Sequence, residues 1–105
     1  DVQHVEAARA LAARTLADGG PDDAARVGWL FATVLARGPE SDERTHVLDA
    51  LGGHRERYAS DPAAAAKLVA LGESKPPAEV PAPELAAWTL VANMILNLDE
   101  TLTRN

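Results

Sequence analysis

The stretch from Pro83 to Leu98, PELAAWTLVANMILNL, decides the fold because it is apolar around most of a helical circumference. Large apolar residues recur in this stretch at alternating steps of three and four residues, and the pattern continues to Leu102 after the stretch ends. They are Leu85, Trp88, Val91, Ile95, Leu98 and Leu102. A helix that is apolar nearly all round is buried. We therefore expect this helix to be the central element, with Trp88 anchored in the core near Phe31 or Leu35 of a second helix.

Four segments with helix start and stop signals precede this stretch. They are predicted over Val2–Asp18, from Pro21 to about Arg37, from Ser41 through Tyr58, and from Pro62 to Leu71. Ser41 is the expected N-cap of the third segment, and Asp61 that of the fourth. Gly52-Gly53 lies within the third segment, where glycine disfavours a helix and predicts a kink or break.

A proline-rich segment over residues 73–83 is predicted to be an extended internal linker, because proline disfavours helix at the residue before it. The fold class is therefore all-α, a compact bundle of four to five helices around a central apolar C-terminal helix. Residues 1–105 form one helical domain in this interpretation. The helical pattern already present near Asp1 predicts that the domain is a piece of a longer protein.

Composition supports the all-α assignment and excludes several functions. Alanine accounts for 22 residues, isoleucine for one, and aromatics for 4%, a bias that favours helix over strand. The formal net charge of −6 predicts binding neither to nucleic acid nor to an anionic membrane surface. No apolar run approaches the roughly 20 residues of a membrane span. The absence of cysteine excludes thiolate catalysis and a C-x-x-C-H haem attachment within this chain.

Few residues are candidates for metal or haem binding. His46 lies four residues after Asp42 and three before Asp49, so either carboxylate could share a metal with it. No third ligand follows at a recognised spacing, and such pairs are common on charged helices. Met94 is better explained as core than as a haem ligand, and His54 as a partly buried packing residue. We expect no cofactor and no catalytic residue in this chain.

One polar feature interrupts the apolar helix. Thr89, Asn93 and Asn97 follow at four-residue steps, and Glu100 or Thr101 continues the line. Polar groups on a buried helix must face water or be hydrogen-bonded. The stripe is therefore either a thin solvent-facing strip or a polar interaction surface for loop backbone or a neighbouring domain. Asp99 and Glu100 are expected to lie just beyond the helix and to cap a last short turn.

Two stretches, RYASDPAAAAKLVALGES (57–74) and AAWTLVANMILNLDETLTR (86–104), together with Arg37-Gly38-Pro39 followed by Glu43, resemble the C-terminal end of domain of unknown function 1553. That domain is typical of planctomycetes and related bacteria. The resemblance extends from about residue 6 to residue 104. The chain departs from the family pattern at Gly38 and Glu40, where proline and threonine are usual, and at the two glycines of the third helix.

The resemblance implies a parent protein exported to the cell envelope or periplasm, in which this domain follows a cytochrome c-like haem domain and a second domain. Haem then belongs to another part of the parent. Two functions follow. The chain is either a non-catalytic helical module that packs on upstream domains, or one wall of an oxidative or polysaccharide-degrading active site completed by them. The second would need Glu73 and the polar stripe to converge on a pocket.

The last expectation concerns apolar surface of the central helix that its neighbours leave exposed to solvent. Alanine-rich neighbours bury little area per residue, so the central helix is expected to keep an apolar patch. In the parent this patch would dock on upstream domains, with the linker between Pro76 and Pro83 along its edge. In the absence of those domains, the same patch could mediate self-association of the isolated chain.

Overall fold

A computed structural model describes the backbone of residues 2–71, 76–77 and 79–103, and the side chains of those between 5 and 100. The helices are α1 (Val2–Asp18), α2 (Asp23–Leu35), α3 (Ser41–Ser60), α4 (Pro62–Val69) and α5 (Ala82–Thr103). Over these ranges the chain contains no strand. The radius of gyration is 13.0 Å, as expected for a compact chain of about 100 residues. The predicted compact all-α bundle of four to five helices is confirmed, and the number of helices is five.

Helix α5 is the central element, because it contacts each of the other four helices and packs most extensively on α1. Among its described side chains, the buried apolar ones lie between residues 85 and 95: Leu85, Ala86, Ala87, Trp88, Val91, Ala92 and Ile95. Trp88 has no exposed surface and belongs to the same buried cluster as Phe31 of α2. The predicted role of Trp88 as a core residue is confirmed.

The start of α2 corrects one prediction. Pro21 lies before the helix, and Asp22 is its N-cap in extended conformation, with Oδ1 accepting from the Ala25 amide at 2.8 Å. The predicted cap of α4 is confirmed, since Asp61 Oδ1 accepts from the Ala64 amide at 3.1 Å. A carboxylate in this position satisfies an amide that the first helical turn leaves without a partner.

The start of α3 corrects a second prediction, because Glu40 rather than Ser41 is the N-cap. The carboxylate of Glu43, three residues after the cap, accepts from the Glu40 amide at 2.9 Å. This bond is the return half of a capping box. Across Gly52-Gly53 the helix continues without interruption, so the predicted break is also wrong.

Three helix ends differ from their predicted positions. Helix α4 ends at Val69, with Ala70 as its C-cap, rather than at Leu71. Helix α2 stops at Leu35, where Ala36 takes a left-handed conformation with φ 59° and donates its amide to Ala32 O at 3.1 Å. Helix α5 runs on to Thr103. Asp99 therefore lies inside the helix, and so does Glu100, which corrects their assignment to a cap beyond it.

Part of the predicted linker over 73–83 is described. Pro76, Pro77 and Val80 are half-buried, and the Val80 amide donates to Pro77 O at 3.4 Å. The last two residues of the predicted linker already belong to α5. Glu73 lies outside the described residues.

Candidate functional site

The residues of the predicted polar stripe of α5 differ in their exposure to solvent. Thr89 is 1% exposed, and its hydroxyl donates to Leu85 O at 2.7 Å within the same helix. Asn93 is half-buried, and its Oδ1 is buried without a hydrogen-bond partner. Asn97 and Glu100 are exposed. The stripe therefore passes from the interior to the surface along α5 and does not form one continuous polar face.

The exposed end of this stripe borders an open groove of about 490 Å³, between the C-terminal part of α5 and the first turns of α3. Its lining surface is mainly apolar, and the lining residues are Phe31, Val47, Met94 and Leu98, with the polar residues Asp42, Glu43, His46 and Asn97. Leu98 is 37% exposed. We call this feature the α3–α5 groove. Its volume and its apolar lining with a few polar groups are typical of binding sites.

One wall of the α3–α5 groove is held by an ion pair. The two terminal nitrogens of Arg37, Nη1 and Nη2, donate to the Glu43 carboxylate at 2.8 Å and 2.9 Å, and the guanidinium carbon lies 5.6 Å from the centre of the Phe31 ring. Arg37 and the amide of Glu40 together hold the pKa of Glu43 at about 2, below its ordinary value of 4.5. The carboxylate of Glu43 thus has its hydrogen bonds to Arg37 and to the Glu40 amide, and these bonds stabilise the start of α3.

The candidate metal pairs lie on the exposed side of the same wall. Asp42, His46 and Asp49 are exposed and line a shallow depression with Ser41 and Thr45. The Asp42 carboxylate accepts from the Glu43 amide at 3.0 Å. In the described part of the chain, no group of three potential ligands is arranged to hold a metal ion.

A second polar cluster joins three helices at the other end of α5. Arg55 of α3 donates to both oxygens of Asp23 at 2.6 Å and 2.9 Å, and to Glu84 Oε1 at 2.6 Å. Glu84 also accepts from Trp88 Nε1 at 3.0 Å. Hydrogen bonding to Arg55 lowers the pKa of Asp23. This cluster fixes the first turns of α2 and α5 against α3, so its role is structural.

Two further side chains have structural positions. Arg9 of α1 is only 3% exposed, and its Nη1 donates to Val69 O at the end of α4, at 2.9 Å. His54 is half-buried as predicted, and burial lowers its pKa. Met94, predicted to be core, packs against the core but also lines the α3–α5 groove.

Sequence reasoning identified most members of the α3–α5 groove without predicting that they converge. The pairs around His46 and the polar stripe were found by their helical spacing, but spacing within one helix does not show which helices are neighbours. The Arg55 cluster was missed altogether. The only sequence signal for this cluster was the position of Asp23 and Glu84 in first helical turns. Acidic residues are common there in any helix, because they interact favourably with the positive end of the helix dipole.

Comparison of the chain with family models, curated proteins and solved structures gives no match. Of the helices described, none is both long enough and apolar enough to span a membrane.

Proposed function

We propose that this chain is a non-catalytic helical module that packs against other domains of a larger protein. The observation that carries the proposal is the α3–α5 groove, in which Leu98 is 37% exposed. Between residues 85 and 96, by contrast, the large apolar side chains of α5 are buried or half-buried. An apolar side chain left open beside a groove is a feature of interaction surfaces.

The polar groups nearby support a non-catalytic role. Glu43 is bound to Arg37 and to the start of α3, and Asp42 accepts from a backbone amide of its own turn. The hydroxyl of Thr89 is bonded within α5. Each of these groups already has a structural partner, whereas general acid–base catalysis needs a group directed at a substrate.

The resemblance to domain of unknown function 1553 supplies the biological setting of the proposal. The partner would be the upstream domains of the same exported, cytochrome-associated protein, in the cell envelope or periplasm. Any haem would belong to those domains.

One observation favours the alternative of an active-site wall. Asp42, His46 and Asn97 all line the α3–α5 groove, so three polar side chains could meet a substrate held there by another domain. In that case Asn97→Ala in the full-length parent would lower turnover without loosening the packing of this domain.

Met94 offers a direct test, because it is the only methionine of the chain and lines the α3–α5 groove. Its oxidation by hydrogen peroxide, followed by peptide mass spectrometry, should be several-fold slower in the full-length parent than in the isolated chain. Leu98→Gln in the parent should restore fast oxidation.

Leu71→Gln is the matched control. Leu71 is 40% exposed, close to the value for Leu98, but it does not line the groove. The proposal fails if Met94 is oxidised equally fast in the parent and in the isolated chain. It also fails if the two glutamine variants act alike.

A further inference from the structure

We infer that the α3–α5 groove accepts a basic amphipathic helix supplied by another domain. This inference deepens the proposed function and rests on it, because it names the chemistry of the partner. It follows from the shape of the groove, from the charges along its α3 wall, and from the unsuitability of a second copy of the chain.

The shape of the groove suits the apolar face of a helix. It lies between two helices, α3 and α5, and has Phe31 and Val47 as buried residues, with Met94 and Leu98 accessible on α5. Binding of an amphipathic helix places apolar residues three and four apart into such a groove. Met94 adds adaptability, because an unbranched thioether side chain can fit differently shaped partners.

The charges along the α3 wall favour a basic partner. Among the residues that the structure describes, no lysine or arginine lines the α3–α5 groove. Arg37 lies next to it, but its charge is offset by the Glu43 carboxylate. Asp42 is exposed in the groove lining, and Asp49 is exposed in the adjoining depression. A helix with lysine or arginine flanking its apolar face would place positive charge beside these two carboxylates.

A second copy of this chain fits the groove poorly. A two-fold symmetric contact would place groove against groove, and Asp42 and Asp49 of both copies would then be brought into one interface. Each copy also carries a net charge of −6. In the described part of the chain, Leu71 is the one exposed large apolar residue outside the groove, and a single side chain does not form a second apolar surface for a head-to-tail contact.

The test uses three synthetic peptides of about 18 residues, a length that permits helix formation. The first has leucines at helical spacing with lysines elsewhere. The second has the same composition scrambled so that no apolar face forms. The third replaces each lysine of the first by glutamate. Binding to the chain is measured by fluorescence anisotropy, and occupancy of the groove by protection of Met94 from peroxide.

We expect the first peptide to bind and to protect Met94, and the other two to bind about tenfold more weakly or not at all. Leu98→Gln should weaken binding of the first peptide by about tenfold, whereas Leu71→Gln should leave it unchanged. Circular dichroism of both variants verifies that each remains folded. Combined Asp42→Asn and Asp49→Asn should weaken binding several-fold and reduce its dependence on salt.

Equal binding of the scrambled or the acidic peptide overturns the inference, as does equal weakening by the two glutamine variants. A dimer in analytical ultracentrifugation that dissociates in Leu98→Gln would assign the groove to a second copy instead. If Met94 is protected in the parent but by none of the peptides, the proposed function stands and this inference fails. If Met94 is protected in neither case, both fail.

Discussion

Arg55 and Glu84, which are 29 residues apart in the chain, form a two-nitrogen contact: Nη2 and Nε of Arg55 lie 2.6 Å and 3.1 Å from the same carboxylate oxygen. The remaining donors of the guanidinium bind Asp23. One side chain of α3 therefore holds the first turns of α2 and α5. Planar guanidinium groups can bind two carboxylates in this way, which lysine cannot reproduce.

Arg55→Gln should lower the free energy of unfolding by about 1–2 kcal/mol, because it leaves two half-exposed carboxylates without their shared partner. Arg57→Gln on the same helix is the matched control, since Arg57 is exposed and its guanidinium carbon lies 5.5 Å from the centre of the Tyr58 ring. Urea denaturation of both variants gives the comparison. Equal losses would show that the three-helix cluster adds nothing to stability.

Acidification should destabilise the protein in a defined range through Glu43. Its folded-state pKa of about 2 lies below the ordinary value of 4.5, so the unfolded chain binds more protons than the folded one between these values. The contribution of Glu43 to stability is therefore complete above about pH 4.5 and is lost as the pH falls toward 2.

Glu43→Gln should make the free energy of unfolding fall less steeply between about pH 4.5 and 2. Chemical denaturation curves recorded across this pH range measure that free energy. Arg37→Gln should have the same effect, because Arg37 is the main cause of the lowered pKa. Asp49→Asn, on the exposed face of the same helix, serves as the control. An unchanged pH dependence in both Glu43→Gln and Arg37→Gln would contradict the prediction.

Trp88→Ala should cost about 3–5 kcal/mol, the range for deleting a large buried aromatic side chain. Trp88 has no exposed surface, and the change also removes a hydrogen-bond donor to Glu84. Trp29→Ala should cost clearly less, because Trp29 is only half-buried. A loss for Trp88→Ala below about 1 kcal/mol would be incompatible with a central position of its side chain.

Gly52→Ala and Gly53→Ala should each stabilise the protein by about 0.5–1 kcal/mol, because both glycines are exposed inside a continuous helix. A Cβ at either position meets no neighbouring atom within 4 Å. Thermal unfolding monitored by circular dichroism measures the gain.

Gly20→Ala provides the opposite control. Gly20 has φ +113°, and a Cβ there would lie 2.9 Å from the Ala25 Cβ. Alanine at this position should therefore destabilise the turn between α1 and α2. A lower melting temperature for Gly52→Ala or Gly53→Ala would contradict their placement inside a continuous exposed helix. A higher one for Gly20→Ala would contradict the strain expected in the turn.

The fold was predictable because its signals are local. The range of α1, the start of α4 at Pro62 and the apolar circumference of α5 all agree with the structure. The errors arose where two local signals competed. Ser41 has the residue type preferred at an N-cap, but Glu43 bonds to the amide of Glu40 and shifts the cap by one position.

The candidate site was predictable only in part, because the convergence of side chains depends on how the helices pack. Thr89 and Glu100 lie within about 20° of each other around α5, given a rotation of about 100° per residue. Yet Thr89 is buried and Glu100 is exposed. The other helices cover the part of α5 around Thr89 but not the part around Glu100. The spacing of residues within one helix cannot predict where its neighbours stop covering it.

The central position of α5 has a consequence for biosynthesis. Helices α1 to α4 leave the ribosome before their common packing partner, and α1, which makes the largest contact with α5, is the helix farthest from it in sequence. During translation these four helices therefore lack the surface that completes their core. A nascent chain interrupted before residue 82 would lack the helix with which α1, α3 and α4 each make their largest contact, and chains with such incomplete packing are typical substrates of chaperones and proteases.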